Sequence, residues 1–474
     1  MSAEFSSPLA AQAPRPRIVL AGTSSGVGKT TLVLAIARAL RERGLRVALF
    51  KCGPDYLDVT YHTQALGSPA QNLDGYLMGR DAVLRTFDVA SRGCDIALIE
   101  GVMGLFDGRE PTSNAGSTAE IASWLRAPIL LVTDASGTAR SLAALFRGFR
   151  DFEPGLGVCG AIANRVGSSG HLKLLEQAMP GDLLGGFPRE DSIAFAERHL
   201  GLCTASATTL PEEKLDRLAQ LATQWIDLDR LTALAREAGA LPERTSESPL
   251  TKVERGATTD RRPRIGLARD AAFHFYYADN LQRLEDLGAT LVPFSPLEAT
   301  RLPELDGLYI GGGYPELHAR TLSENAELRA EIAAFAERGG PIYAECGGLM
   351  YLTKAIHTIE GDRYPMVGLF DTETHQRDKL QALGYVEVET REDSLLGPRG
   401  TRFRGHQFRY SQLDREPERP LYSLRRRRGE AILEGFQVKR AVASYVHAHW
   451  ASNPGVARSF VQSCRDFANA EVTC

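Results

Sequence analysis

The chain has 474 residues, 43% of them apolar and 24% charged, with a formal net charge of −4. That length exceeds what one ordinary core fills, so two or more domains are expected. The near-balanced charge excludes a general nucleic-acid binder, whose phosphate contacts need a basic face, and no apolar run approaches the roughly 20 residues of a membrane helix.

Residues 1–16, "MSAEFSSPLAAQAPRP", lack the order of a signal peptide and read as a disordered leader. "RIVLAG" (17–22) is predicted as a buried strand and "KTTLVLAIARALRERG" (29–44) as an amphipathic helix. "RVALFK" (46–51), "DIALIEG" (95–101), "APILLVTD" (127–134) and "GVCGAIANR" (157–165) are further strands. Continuous apolar runs separated by helices predict a parallel sheet covered on both faces. Residues 211–240 are predicted helical. Residues 241–263, polar, charged and broken by proline, read as a linker between a domain over 17–240 and another over 264–460. Alternation restarts with "RIGLARD" (264–270), "ATLVPFSP" (289–296), "GLYIGGG" (307–313) and "PIYAECGG" (341–348). From about Gly368, "LGYVEVETR" and "GFQVKRAVASYVHAHW" alternate polar and apolar residues and predict antiparallel strands, and the arginine run at 425–428 reads as a solvated loop. Seven scattered cysteines form neither a disulfide framework nor a zinc pattern, which points to a reduced, cytoplasmic compartment.

Two stretches carry chemistry. "AGTSSGVGKTTL" (21–32) follows a strand and opens a helix, the context in which backbone N–H groups converge on phosphate. Gly26, Gly28, Lys29, Thr30 and Thr31 are expected to bind ATP, with Lys29 on the β- and γ-phosphates and the Thr30 hydroxyl on Mg²⁺. Lys51, Asp55 and Asp58 in "KCGPDYLD" and Glu100 and Asp107 in "IEGVMGLFDG" could complete the site. Glu100 and Asp55 are assigned to the metal, whereas a plain turn or cap role fits Asp58 and Asp107 best. Asn164 ends a late strand, where its amide could pair with the adenine edge. The loop departs from the standard spacing, with glycine at 22 and serine at 24.

In the second stretch, "AECGGLMYL" (344–352), Cys346 sits where a strand meets a helix, a turn that exposes a nucleophile and whose helix N-terminus lowers a thiol's pKa. Gly347, with Gly312 and Gly313 of "IGGGYPE", could supply oxyanion donors. "ASYVHAHW" offers His447 and His449 as a base. His274, His318, His375 and His406 are left mostly to packing and surface roles.

These motifs carry a resemblance. "SSGVGKTT", "KCGPDYLD", "NLDGYLM" and "EGVMGLFDG", followed by "GGGYPE", "ECGGLMYL", "GHQFRYS" and "SYVHAHW", resemble the cobyrinate a,c-diamide synthase family across nearly the whole chain. The resemblance implies an α/β protein. Its N-terminal P-loop domain, a parallel sheet like that of dethiobiotin synthetase, would precede a C-terminal α/β domain of the class I glutamine amidotransferase type. It implies that Cys346, with His447 as base, releases ammonia from glutamine. The ammonia travels internally to the first domain, where ATP and Mg²⁺ activate the a and c carboxylates of cobyrinate or hydrogenobyrinate as acyl phosphates. Asp55 and Tyr56 fall where the family contacts the corrinoid, and the resemblance leaves room for a homodimer.

Two residues depart from the pattern. His449 stands where class I amidotransferases commonly place a histidine-orienting glutamate, and Gln407 where this branch is expected to carry glutamate. The competing readings are a nickel-sirohydrochlorin a,c-diamide synthase and a partitioning-type ATPase with an inert second domain. The latter would carry lysine in place of Ser24. Cobyric acid synthase, with the same two halves, fits "KCGPDYLD" and "YVHAHW" less well.

Overall fold

The computed structural model describes residues 14–190, 210–244, 261–427 and 429–473, so most of the expected leader and linker lie outside the described residues. The chain divides into two compact units, Met1–Ser246 and Glu247–Cys474.

In the first unit seven strands form one sheet: β1 (Arg17–Gly22), β2 (Val47–Cys52), β3 (Gln71–Leu73), β4 (Ile96–Gly104), β5 (Ile129–Asp134), β6 (Val158–Val166) and β7 (Leu183–Pro188). Their order is β3-β2-β4-β1-β5-β6-β7, and every pairing is parallel. The apolar runs are continuous because helices cover both faces; Ile18, Val19 and Leu20 of β1 are fully buried. Helix α1 (Lys29–Glu42) packs Leu32, Val33, Ile36 and Leu40 into a core with Leu215, Leu218 and Leu221 of the helix Glu212–Trp225. Each such side chain contributes about 1.5–3 kcal/mol on full burial. The helix expected over 211–240 is two, Glu212–Trp225 and Leu228–Arg236. Asp227 breaks it by accepting from the Arg230 N–H as the N-cap of the second, a role its short carboxylate favours.

In the second unit, five strands lie parallel in the order Thr290–Phe294, Arg264–Ala268, Gly307–Ile310, Ile342–Glu345, Ala441–Ser444, and Phe436–Val438 closes the edge antiparallel. A five-stranded antiparallel sheet holds Ala382–Thr390, Arg402–Arg409 and His447–His449. The antiparallel expectation holds for Ala441–Ser444 on one side only: it pairs antiparallel with Phe436–Val438, but its four residues are all buried and its other edge joins the parallel core beside the strand that leads to Cys346. The arginine run is not simply a solvated loop either. Arg425 ends a strand, and Arg426 donates to the buried Gln407. Among the described residues no helix is long and apolar enough to cross a membrane.

Candidate active sites

The first site grows from β1 and its two neighbours. Gly26 and Gly28 have φ of 77° and 88°, left-handed values that glycine accepts without strain. Gly28 caps α1, so Lys29, Thr30 and Thr31 are the first residues of the helix. A side chain at position 28 would also strike the Asn164 amide nitrogen at 2.1 Å. Asn164 donates to the Val27 carbonyl (2.7 Å), and its oxygen accepts from the Arg165 N–H. Its amide thus braces the loop.

Parallel pairing of β2 with β4 sets Lys51 beside Glu100. The Lys51 ammonium is 2.8 Å from Glu100 and 2.6 Å from Asp58, all three buried. Glu100 also receives the Thr30 hydroxyl (2.7 Å) and lies 2.6 Å from His62 Nε2. Burial alone would raise the Glu100 carboxyl, but Lys51 and His62 hold it below the usual range. Burial would lower Lys51, and the charges of Asp58 and Glu100 override it, so Lys51 stays protonated. Lys29 donates to the Ser24 and Met103 carbonyls. Burial, and then the charge of Lys51, lowers it to about 8.

The two aspartates exchange the parts expected of them. Asp55 is the N-cap of α2 (Tyr56–Leu66), accepting from the Leu57 and Asp58 N–H groups. Asp58, three residues on, turns back to Lys51 and lies 3.4 Å from the Thr30 hydroxyl. Asp107 accepts from the Gly104 N–H and closes a turn. Tyr56 opens α2 beside this group. Thr30, Asp58 and Glu100 offer the hard oxygen donors that Mg²⁺ requires, so the residues present fit that ion.

The buried triad of charges predicts a stability effect. Lys51→Met leaves Asp58 and Glu100 facing each other without their shared cation. The unfolding transition of the first unit is expected to weaken by about 3–5 kcal/mol in chemical denaturation; an unchanged midpoint would show that the cation does not hold the fold.

The second site forms where Ile342–Glu345 ends. Cys346 has φ 50° and ψ −105°, a backbone outside the ordinary regions for a side-chain-bearing residue and of the kind found at nucleophile elbows. Its N–H donates to the Ser444 carbonyl on the adjacent strand, and its sulfur, 3.9 Å from the Phe408 carbonyl, receives the Gly347 N–H. The two glycine turns meet here. A Cβ on Gly347 would lie 3.0 Å from the Gly313 nitrogen, and one on Gly312 would lie 2.3 Å from His447 Cε1. Bare backbone at both turns lets the His447 ring lie against Gly312 and lets the Gly347 and Gly313 backbones meet.

The expected lowering of the thiol pKa is not found. Burial, and then the charge of Glu316, pushes Cys346 up to about 12, and the helix it opens, Gly347–Leu352, is too short to compensate. Burial, then the neighbouring His406, lowers His447 to about 3. At neutral pH the thiol and the imidazole are therefore both uncharged.

Several residues around the thiol carried no sequence signal of their role. Glu316 receives the Gln376 amide, and its second oxygen is buried with no hydrogen-bond partner among the described residues. Arg409 stacks 4.1 Å over the Tyr445 ring, and its charge is felt at Cys346. Gln407 is bonded to Glu434 and Arg426, so its amide is engaged by those two side chains. His449 receives the Ala451 N–H and packs against Tyr277.

Comparison with known proteins adds sequence likeness to this geometry. Residues 18–200 match the CobQ/CobB/MinD/ParA nucleotide binding domain family, and residues 264–455 the CobB/CobQ-like glutamine amidotransferase domain family. The chain is 49% identical over 454 residues to the cobyrinate a,c-diamide synthase of Leptospira interrogans strain Fiocruz L1-130, covering 95% of this chain and 98% of that one. It is 47% identical to that of Syntrophotalea carbinolica, covering 95% and 99%. The synthase of Listeria monocytogenes strain F2365 is 42% identical, covering 92% and 97%.

Proposed function

Since the chain belongs to the cobyrinate a,c-diamide synthase family, a family of glutamine-hydrolysing amidoligases, we propose that it amidates the a and c side-chain carboxylates of cobyrinate or hydrogenobyrinate, spending ATP and taking nitrogen from glutamine. The observation that carries this reading is the presence on one chain of two chemically complementary sets of groups: a phosphate loop backed by Lys51, Asp58 and Glu100, and, in the second unit, a buried thiol at a strained elbow together with a buried neutral imidazole.

In the second unit, His447 takes the Cys346 proton as the sulfur attacks the amide carbon of glutamine. The oxyanion meets the N–H groups of Gly313 and Gly347. His447 then gives the proton to the departing nitrogen, releasing ammonia, and water hydrolyses the thioester to glutamate. Glu316 and Arg409 bring opposite charges to the pocket, matching the ammonium and carboxylate of the glutamine backbone.

In the first unit, a carboxylate is a poor electrophile, and transfer of the γ-phosphoryl group gives it a leaving group that ammonia displaces. Lys29 and the N-terminus of α1 hold the phosphates, and Lys51 keeps Glu100 ionised while pairing with Asp58. Mg²⁺, held by Thr30, Glu100 and Asp58, supplies further neutralisation of phosphate charge when bound. Asp55 and Tyr56 open the helix next to these groups and are assigned to the corrinoid.

The lowered Lys29 gives a pH signature. Phosphate favours the ammonium form, so ATP affinity should hold below pH 8 and fall by up to about tenfold per unit above it. Calorimetric titrations above that pH, in buffers of different ionisation enthalpy, should show proton uptake on binding; none would take Lys29 off the phosphates. The reading as a whole is tested by ATP consumption. It should require cobyrinate or hydrogenobyrinate, and preference for nickel sirohydrochlorin would reassign the macrocycle.

A further inference from the structure

The thiol site has an imidazole base but no acid two residues beyond it, and His449 at that position is turned to Tyr277 and the Ala451 N–H. A carboxylate nonetheless reaches His447 from another element. Glu345, the last residue of the strand leading to Cys346, is buried, and its Oε2 lies 4.0 Å from His447 Nδ1.

The hydrogen bonds of Glu345 fix its orientation. Oε1 accepts from the Tyr343 hydroxyl (2.6 Å) and the Ala448 N–H (2.9 Å). Oε2 accepts from the Tyr309 hydroxyl (3.1 Å). An ionised carboxylate has about four acceptor positions, so one remains, on the oxygen facing His447. The Ala448 bond ties the carboxylate to the residue next to the base, so carboxylate and imidazole move together.

We propose that Glu345 is the positioning residue of this site, holding the His447 ring with Nδ1 toward the carboxylate and Nε2 toward the thiol. The inference rests on the amidotransferase reading above and adds a residue to it. When His447 accepts the Cys346 proton at Nε2, the ring becomes a cation whose Nδ1–H points at Glu345. The carboxylate stabilises that cation without taking a proton, and the proton then leaves with the ammonia nitrogen. The 4.0 Å separation exceeds a hydrogen bond, and catalytic contacts of this kind commonly tighten in the substrate complex.

The titratable groups facing Glu345 are Tyr276, Tyr309, Tyr343, Tyr422, Cys346 and His447. All are neutral near pH 7, so among them Glu345 alone supplies charge, and burial raises it to about 7. Glutamine hydrolysis should therefore rise with pH through about 7 as Glu345 ionises.

The test compares wild type, Glu345→Gln and Glu345→Asp in glutamine hydrolysis across pH, with ammonium-dependent amidation as the second readout. Glu345→Gln should lower kcat with glutamine about 100-fold with little change in KM, lose the rise near pH 7, and keep ammonium-dependent amidation; Glu345→Asp should regain part of kcat and the pH dependence. A Glu345→Gln enzyme with wild-type kcat, or with the same pH rise, overturns the proposal. Should Glu345→Gln fail to fold, Tyr309→Phe serves instead. It removes one donor from the carboxylate, so the rise must move to higher pH, and an unmoved rise overturns the proposal. A wild type without glutaminase activity would sink the amidotransferase reading together with this one, whereas an active wild type with indifferent variants sinks only the role of Glu345.

Discussion

Cys346→Ala is expected to abolish amidation with glutamine, by at least about 10³-fold in kcat, while amidation with ammonium proceeds at the wild-type rate. In the proposed reaction the sulfur is the nucleophile, and the Gly347 N–H lies at it. Alanine keeps the backbone bonds, since the Cys346 N–H to Ser444 contact uses no side chain. Removing one buried sulfur costs little stability beside the loss of a covalent step. Steady-state assays with each nitrogen donor separate the two activities. Equal loss with both donors would mean that the thiol supports the fold or the synthetase chemistry rather than ammonia release.

Lys29→Ala should have the complementary effect, lowering amidation about 10³-fold with either donor while glutamine hydrolysis continues. In the proposed reaction Lys29 is the side chain that reaches the transferring phosphoryl group, where electrostatic stabilisation is usually the largest catalytic contribution. The substitution leaves the unit intact for a physical reason. Among the described residues Lys29 hydrogen-bonds to the carbonyls of Ser24 and Met103, which water can satisfy, and alanine is the best helix former at the start of α1. Lys51 differs, because its loss strands two buried carboxylates. Activity with ammonium that survives Lys29→Ala would remove the phosphate loop from the reaction.

What could be read in the sequence was what is local. The strand–loop–helix of residues 17–42 announces itself by an apolar run, glycines at the two positive-φ positions and a 3.6-residue period. The elbow at Cys346 is equally local, since strand, cysteine and glycine pair are contiguous. The thiol's raised pKa was not legible, because burial is set by strands remote in sequence. The cap role expected for Asp58 falls to Asp55 instead; both stand near a helix start, and only the fold shows which caps it and which faces Lys51. His62 reaches Glu100 from the end of one helical turn beyond, and Gln407 finds Glu434 and Arg426 across strands. Glu345 stood beside the cysteine in the sequence, yet its meeting with His447, about a hundred residues on, depends on the parallel pairing of Ile342–Glu345 with Ala441–Ser444.

The most direct test of the central claim is transfer of nitrogen from glutamine to the macrocycle. The enzyme would be supplied with ATP, Mg²⁺, cobyrinate and glutamine labelled with heavy nitrogen at its side-chain amide, and the product read by mass spectrometry. A corrinoid carrying heavy nitrogen in its a and c amides, formed only with ATP present, is the predicted result. ATP hydrolysis indifferent to the corrinoid, with no label in the ring, would contradict it and leave a nucleotide hydrolase beside an inert thiol.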